Sequence, residues 1–233
     1  IQTAENLEHS SYALNEDREV SEIIEDTEIQ LYEIDQKGQT GKSFYSFEDS
    51  VVESLNAAAS AYESDDGLAG LSTGFSDLDK AVGGLQKSDL IILAGRPAMG
   101  KTALASNIAF NIAKKFGDQI NNDNLESIKE SSDDDTFGAV AFFSLEMSAE
   151  QLSTRIISDQ AGVSSSDVRQ GKIDEREIHN YMKVAEDLKN LPLYIDQTGA
   201  IPIGVLSSRA RRLSRTLKQK KQDLSLIVVD YLQ

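Results

Sequence analysis

Apolar residues along this chain fall into two regimes. In residues 1–36 they stand singly or in short groups among polar and acidic residues, and Ile23, Ile24, Leu31 and Ile34 recur at helical spacing, which predicts one or two amphipathic helices. "QKGQTGKS" (36–43) breaks that pattern with two glycines and polar residues, as a loop does. Phe44, Phe47, Val51, Leu55, Ala58, Ala59 and Tyr62 then recur every three or four residues and share one face of a helix over 44–62. That stripe needs a partner, in its own subunit or in another. "SDDGLAGLSTGFSDL" follows, rich in Gly, Ser and Asp, and reads as a linker into a new domain.

From Leu90 onward short apolar runs alternate with helical segments, the pattern of an α/β domain with a mainly parallel sheet. Strands are expected near 90–94, 139–144, 193–195 and 226–230. Their continuous hydrophobicity suits strands covered on both faces. Helices are expected near 102–116, 148–161, 174–189 and 203–220, with Ser148 and Gln151 forming a capping box at the second. Residues 117–138, "GDQINNDNLESIKESSDDDTFG", are polar and acidic and read as a surface insertion.

Composition changes this picture in four places. There is no cysteine, so disulfides and thiolate metal sites are excluded and a reducing cytoplasmic setting is expected. His9 and His179 are isolated and suit structural or solvated roles. No apolar run approaches the ~20 residues that a membrane-spanning helix requires. The net charge of −16 argues against a nucleic-acid partner only until its distribution is seen. Residues 1–66 hold 17 acidic and 3 basic residues, whereas the remainder holds 22 and 20, so a local basic channel stays possible.

The stretch "LIILAGRPAMGKTALASNIAF" (90–110) carries the chemistry. Gly95, Arg96, Pro97, Ala98, Met99, Gly100, Lys101 and Thr102 fit G-x-x-x-x-G-K-[ST], between an apolar run and a helix with Leu104, Ala105, Ile108, Ala109, Ile112 and Phe116 on one face. Glycines let the backbone close around phosphates, and the amides and positive end of the following helix face the anion. Lys101 brings a full charge to the β and γ phosphates of ATP, and the Thr102 hydroxyl can ligate Mg²⁺.

Hydrolysis needs two more acids, one beside the metal and one to orient water. Asp230 ends the apolar run of "LSLIVVDYLQ" and is a Walker B candidate at the carboxyl edge of the sheet. Glu146, between a strand and a capped helix in "AVAFFSLEMSAEQ", is the candidate for the second. A residue there could also serve the helix dipole, a purpose that Glu150 already meets. "RARRLSRTLKQKK" (209–221) is the one dense basic stretch. With no aromatic residues interleaved to stack bases, it reads as a solvated face or a subunit contact rather than a DNA surface.

"GLSTGFSDLDKAVGGLQKSDLIILAGRPAMGKTALASNIA", "FFSLEMSAEQL", "DVRQGKI", "LPLYIDQTG", "RARRL" and "LSLIVVDYLQ" together resemble the bacterial replicative DNA helicases of the DnaB type, in order and spacing. The resemblance covers about 68–233 apart from the acidic insertion and extends weakly further back. It implies a RecA-like P-loop ATPase core with a mainly parallel sheet, incomplete at its C-terminal end and preceded by an α-helical segment and a linker helix. Residues 1–36 would be the end of a helical N-terminal domain, 37–67 a linker containing helix 44–62, and 68–233 a truncated ATPase domain.

The resemblance further implies a homo-hexamer that encircles single-stranded DNA at the replication fork and moves 5′ to 3′ on ATP and Mg²⁺, with a primase and a helicase loader as partners. Residues 95–102 would be the phosphate loop, with Lys101 and Glu146 catalytic, Glu146 polarising the lytic water, and Thr102 and Asp230 serving the metal. Helix 44–62 would pack on the adjacent subunit. In the family the sensor residue, DNA-binding loops and arginine finger follow the Walker B strand, and a later strand lies between the two Walker strands.

Two other classes share these motifs. A RecA-like recombinase or regulatory ATPase would use nucleotide as a switch, and a small-molecule kinase would deliver phosphate to an acceptor, though Glu146 and the linker helix are awkward for the latter. On the helicase reading, the 233-residue chain by itself neither unwinds DNA nor hydrolyses ATP appreciably. Phosphate release from the purified chain checks this, and robust turnover would contradict it.

Overall fold

The computed structural model describes Thr27, residues 46–63, Leu68, and residues 70–122 and 137–231. The helices expected within 1–36, the loop 36–43, Phe44 and most of the acidic insertion lie outside the described residues.

The elements in chain order are α1 (Phe47–Glu63), α2 (Ser76–Val82), α3 (Lys101–Asn122), β1 (Phe137–Ser144), α4 (Ala149–Ala161), α5 (Ser165–Gln170), α6 (Glu175–Leu188), β2 (Leu193–Asp196), α7 (Ile203–Lys218) and β3 (Gln222–Asp230). The three strands form a parallel sheet in the order β2-β1-β3. A helical crossover links each strand to the next, as parallel neighbours require. The α/β fold with a parallel sheet is therefore the one expected.

Alternation along β1 explains why "AVAFF" is apolar at every position. Val140 and Phe142 pack with Ala109, Phe110, Ile112 and Ala113 of α3 and Leu152 and Ile156 of α4. Ala141 and Phe143 point the other way, onto Leu206 and Ala210 of α7. Successive side chains of a strand alternate between faces, so a strand with helices on both sides has no solvent face to make polar. Gly138 lets α3 approach the start of β1, because a Cβ there would meet the Phe116 ring at 2.1 Å.

One expected strand does not form. Residues 90–94 belong to no strand, and Leu90 and Ile92 are 87% and 78% exposed. Side-chain pattern selects residues that suit a covered strand, but a strand exists only where a neighbour completes its ladder. Among the described residues β3 pairs only with β1, and 90–94 forms no ladder with it. The apolar stripe of α1 also stands uncovered, with Phe47, Val51, Val52 and Leu55 exposed.

From residue 70 onward, the stretch that reads as a linker is a hydrogen-bonded loop. Leu71 and Leu85 exchange backbone hydrogen bonds of 2.8 Å, closing a loop that contains α2. Asp79, buried at its centre, accepts from the Thr73 N–H (2.8 Å), the Thr73 hydroxyl (2.7 Å) and the Ser72 hydroxyl (2.7 Å). Asn111 of α3 donates to the Thr73 carbonyl at 3.2 Å, which ties the loop to the helix that follows residues 95–100. Ser, Asp and Gly here are the residues of a built turn rather than of a flexible spacer.

Burial alone would raise the Asp79 pKa, but the hydrogen bonds from Thr73, Ser72 and Gly74 outweigh it and hold the carboxyl below its usual range. A folded-state value depressed below the unfolded one of about 3.9 adds stability that is complete above that pH and is lost as pH falls through the folded value. Asp79→Ala should cost about 2–3 kcal/mol at pH 7, since it strands buried donors. Urea unfolding of wild type and variant should show this gap closing as the pH is taken below about 4.

Candidate functional site

The segment that leads into α3 turns tightly. Gly100 sits at φ 87° and Ala98 at φ 61°, both in the left-handed region. At Gly100 this conformation is the reason for glycine, because a Cβ there would meet nothing within 4 Å yet be strained by the dihedral. Gly95 differs, since its nearest neighbour would be Lys101 Cγ at an ordinary 3.5 Å. Protein contacts therefore do not demand a glycine at 95.

Residues 95–100 are exposed, with Met99 N–H donating to the Arg96 carbonyl at 3.3 Å and Leu104 N–H to the Gly100 carbonyl at 2.9 Å. Lys101 Nζ donates to the Gly95 carbonyl at 3.0 Å, so the ammonium folds back across the loop it follows. It also lies 5.9 Å from the centre of the Tyr231 ring, within reach of a cation–π contact. Tyr231 directly follows Asp230, which places the loop beside the carboxyl end of β3.

Asp230 is buried at the tip of β3 and sits in register with Ser144, the last residue of β1. The pairing continues one step beyond the strand, where Leu145 N–H donates to the Asp230 carbonyl at 2.8 Å. Glu146 comes next and is exposed. Lys101, through Tyr231, and Glu146, through Leu145, thus both lie beside the end of β3 that bears Asp230, and Thr102 lies in the first turn of α3. Among the described residues no cluster of three His, Cys, Asp or Glu forms a metal cage.

Several side chains that the sequence alone does not mark hold the Glu146 turn. The Ser144 hydroxyl, buried, donates to the Met147 carbonyl at 2.7 Å and accepts from the Met147 N–H at 3.2 Å. Ser148 and Gln151 form the expected reciprocal capping box at α4. Gln197 Oε1 accepts from the Ala149 N–H at 2.8 Å, satisfying another of the donors that a helix start leaves over.

Gln197 is itself presented by a rigid turn. Thr198 N–H donates to Asp196 Oδ1 at 2.9 Å, and Arg209 Nη1 lies 3.0 Å from Asp196 Oδ2 and 2.6 Å from Thr198 Oγ1. Burial of Asp196 would raise its pKa, but the Thr198 N–H and hydroxyl and the Arg209 guanidinium together lower it. The signal available in sequence is "DQT", an Asp two residues before a Thr whose N–H it can accept. Arg209, in the basic stretch, is thereby a structural residue. The groove of about 370 Å³ next to it, lined among others by Tyr194, Arg212 and Thr216, includes no residue of the 95–102 loop, nor Glu146 or Asp230.

Comparisons with known proteins agree on a single relationship. Residues 70–233 match the family described as DnaB-like helicase C terminal domain. Over all 233 residues the chain is 39% identical to the replicative DNA helicase DnaB of Rickettsia bellii and 32% identical to that of Geobacillus stearothermophilus, spanning 44% and 45% of their lengths. The chain thus spans under half of these relatives. Among solved structures, a DnaB-like replicative helicase, described together with its interactions with primase, aligns at TM-score 0.58 and 17% identity, covering 100% of this chain and 57% of that one. A second solved structure, described as an ATPase domain, aligns at TM-score 0.62 and 20% identity, covering 82% of this chain and 58% of that one. Motif, sheet and relatives converge, and the chain belongs to the family of DnaB-like helicase C-terminal domains.

Proposed function

We propose that this chain carries the nucleotide-hydrolysing site of a ring-forming replicative DNA helicase, which uses ATP and Mg²⁺ to unwind duplex DNA 5′ to 3′ at a replication fork. The observation that carries the reading is the meeting of Lys101, Asp230 and the Glu146 turn at one sheet edge, through the β1–β3 register and the Leu145–Asp230 bond of 2.8 Å.

In this reading the amides of 95–102 and the start of α3 bind the phosphates, and Lys101 leaves the Gly95 carbonyl to reach their oxygens. Glu146, exposed at the edge, orients the attacking water and draws on its proton. Thr102 and Asp230 are the metal side of the site. Their chemistry, one hydroxyl and one carboxylate, fits Mg²⁺, which keeps waters and phosphate oxygens for its other positions. When bound, it neutralises charge building on the phosphates.

The DNA strand, five further copies of the chain, a primase and a loader are the partners of this proposal, and the cytoplasm is its setting. Among the described residues no helix is long and apolar enough to cross a membrane. We assign 1–36 to a helical N-terminal domain, 37–67 to the linker, and 68–233 to the ATPase domain. The exposed stripe of α1 supports docking on the adjacent subunit. Exposed Leu90, Ile91, Ile92 and Leu93 support a further strand lying between residues 90–94 and β3.

Strand displacement on a forked substrate with the full-length protein should require ATP and be abolished by Lys101→Ala, which should also weaken MgATP association at least about tenfold. Unwinding without ATP, or an active variant, would refute the assignment. Glu146→Gln should separate binding from turnover, with nucleotide affinity near wild type and kcat lower by about 10²–10⁴ in steady-state phosphate release.

A further inference from the structure

The Glu146 carboxylate is exposed, and among the described residues no hydrogen bond holds it. Its position is therefore set by the backbone of residues 145–148. Four attachments fix that backbone: the Leu145–Asp230 bond between main chains, the two bonds to the Ser144 hydroxyl, the Ser148 cap, and the Gln197 carbonyl on Ala149. The cap fixes the start of α4, as many helices are fixed. The Ser144 and Gln197 contacts are different in kind.

Ser144 is 1% exposed, at the end of a strand whose preceding buried residues are all apolar. A hydroxyl there costs desolvation unless both its donor and acceptor functions are used, and both are spent on Met147, the residue after Glu146. Gln197 reaches the other end of the same turn from the loop between β2 and α7, 48 residues away in sequence. Asp196, Thr198 and Arg209 lock the loop that presents it. The turn is thus closed from inside the sheet by one side chain and braced from outside by another.

We infer that Ser144 and Gln197 are positioning residues that aim Glu146 at the lytic water. The inference rests on the catalytic reading of Glu146 given above. A carboxylate whose aim depends on main-chain placement loses rate steeply with displacement, since about 1 Å of misplacement can cost on the order of a hundredfold. The bonds of both side chains go to the 147–149 backbone and not to residues 95–102, so nucleotide binding does not depend on either.

The test uses the full-length protein and steady-state ATP hydrolysis, with nucleotide affinity measured separately by fluorescence titration of an ATP analogue. Gln197→Met keeps length but removes the acceptor, and should lower kcat about tenfold with affinity within about twofold of wild type. Gln197→Glu restores an oxygen to the Ala149 N–H, at a helix start that favours negative charge, and should recover most of the rate. Ser144→Ala should repeat the kcat loss without the affinity loss.

Wild-type kcat in Gln197→Met, no rescue by Gln197→Glu, or a parallel fall in affinity and kcat would each overturn the inference, the last by reducing the contacts to mere scaffolding. The Gln197 pair keeps the test decisive if Ser144→Ala fails to fold. Full turnover in Glu146→Gln would instead strike the assignment of Glu146 itself, a separate result.

Discussion

The parallel ladder between β1 and β3 is the constraint from which the site follows. It sets Ser144 level with Asp230 and then carries one hydrogen bond past the end of the strands, from Leu145 to the Asp230 carbonyl. Because side chains alternate along a strand, a slip of one residue would turn Asp230 from the edge it now shares with Glu146 and exchange the two faces of β1. Such a slip is resisted by the packing itself. Phe142 against α3 and α4, and Phe143 against α7, cannot trade places without opening both cores.

Much of this is legible from residues in order. The glycines and lysine of 95–102 predict their turn from local sterics alone, and Gly100 at φ 87° is the conformation that glycine permits. The capping box at Ser148 and the strand ending in Asp230 are likewise local signals. The stretch 64–78 reads as a linker because Gly, Ser and Asp serve both flexible linkers and built turns, and its part from residue 70 onward belongs to such a turn. What separates the two is a partner at a distance, here Asp79 reaching back to Thr73 and Asn111 reaching across from α3.

The same limit explains the supports of Glu146. Ser144 is next to the turn in sequence, yet its two bonds to Met147 depend on the reversal of direction at the strand's end. Gln197 belongs to a different loop altogether and meets Ala149 only because β2 and β1 are neighbours in the sheet. Residues 90–94 fail in the opposite sense. Their composition announces a covered strand, but composition describes what a side chain suits and not whether a neighbour is present to pair with it.

That segment leads straight into Gly95. A loop is only as stiff as the two elements it joins, and here α3 is firmly packed while Leu90, Ile91, Ile92 and Leu93 on the other flank are exposed. Stiffening that flank would preorganise the grip, since amides already in place cost less to order around an anion. On the proposed function, whatever shelters Leu90 and Ile92 would therefore act as a tuning screw on the loop's hold on nucleotide.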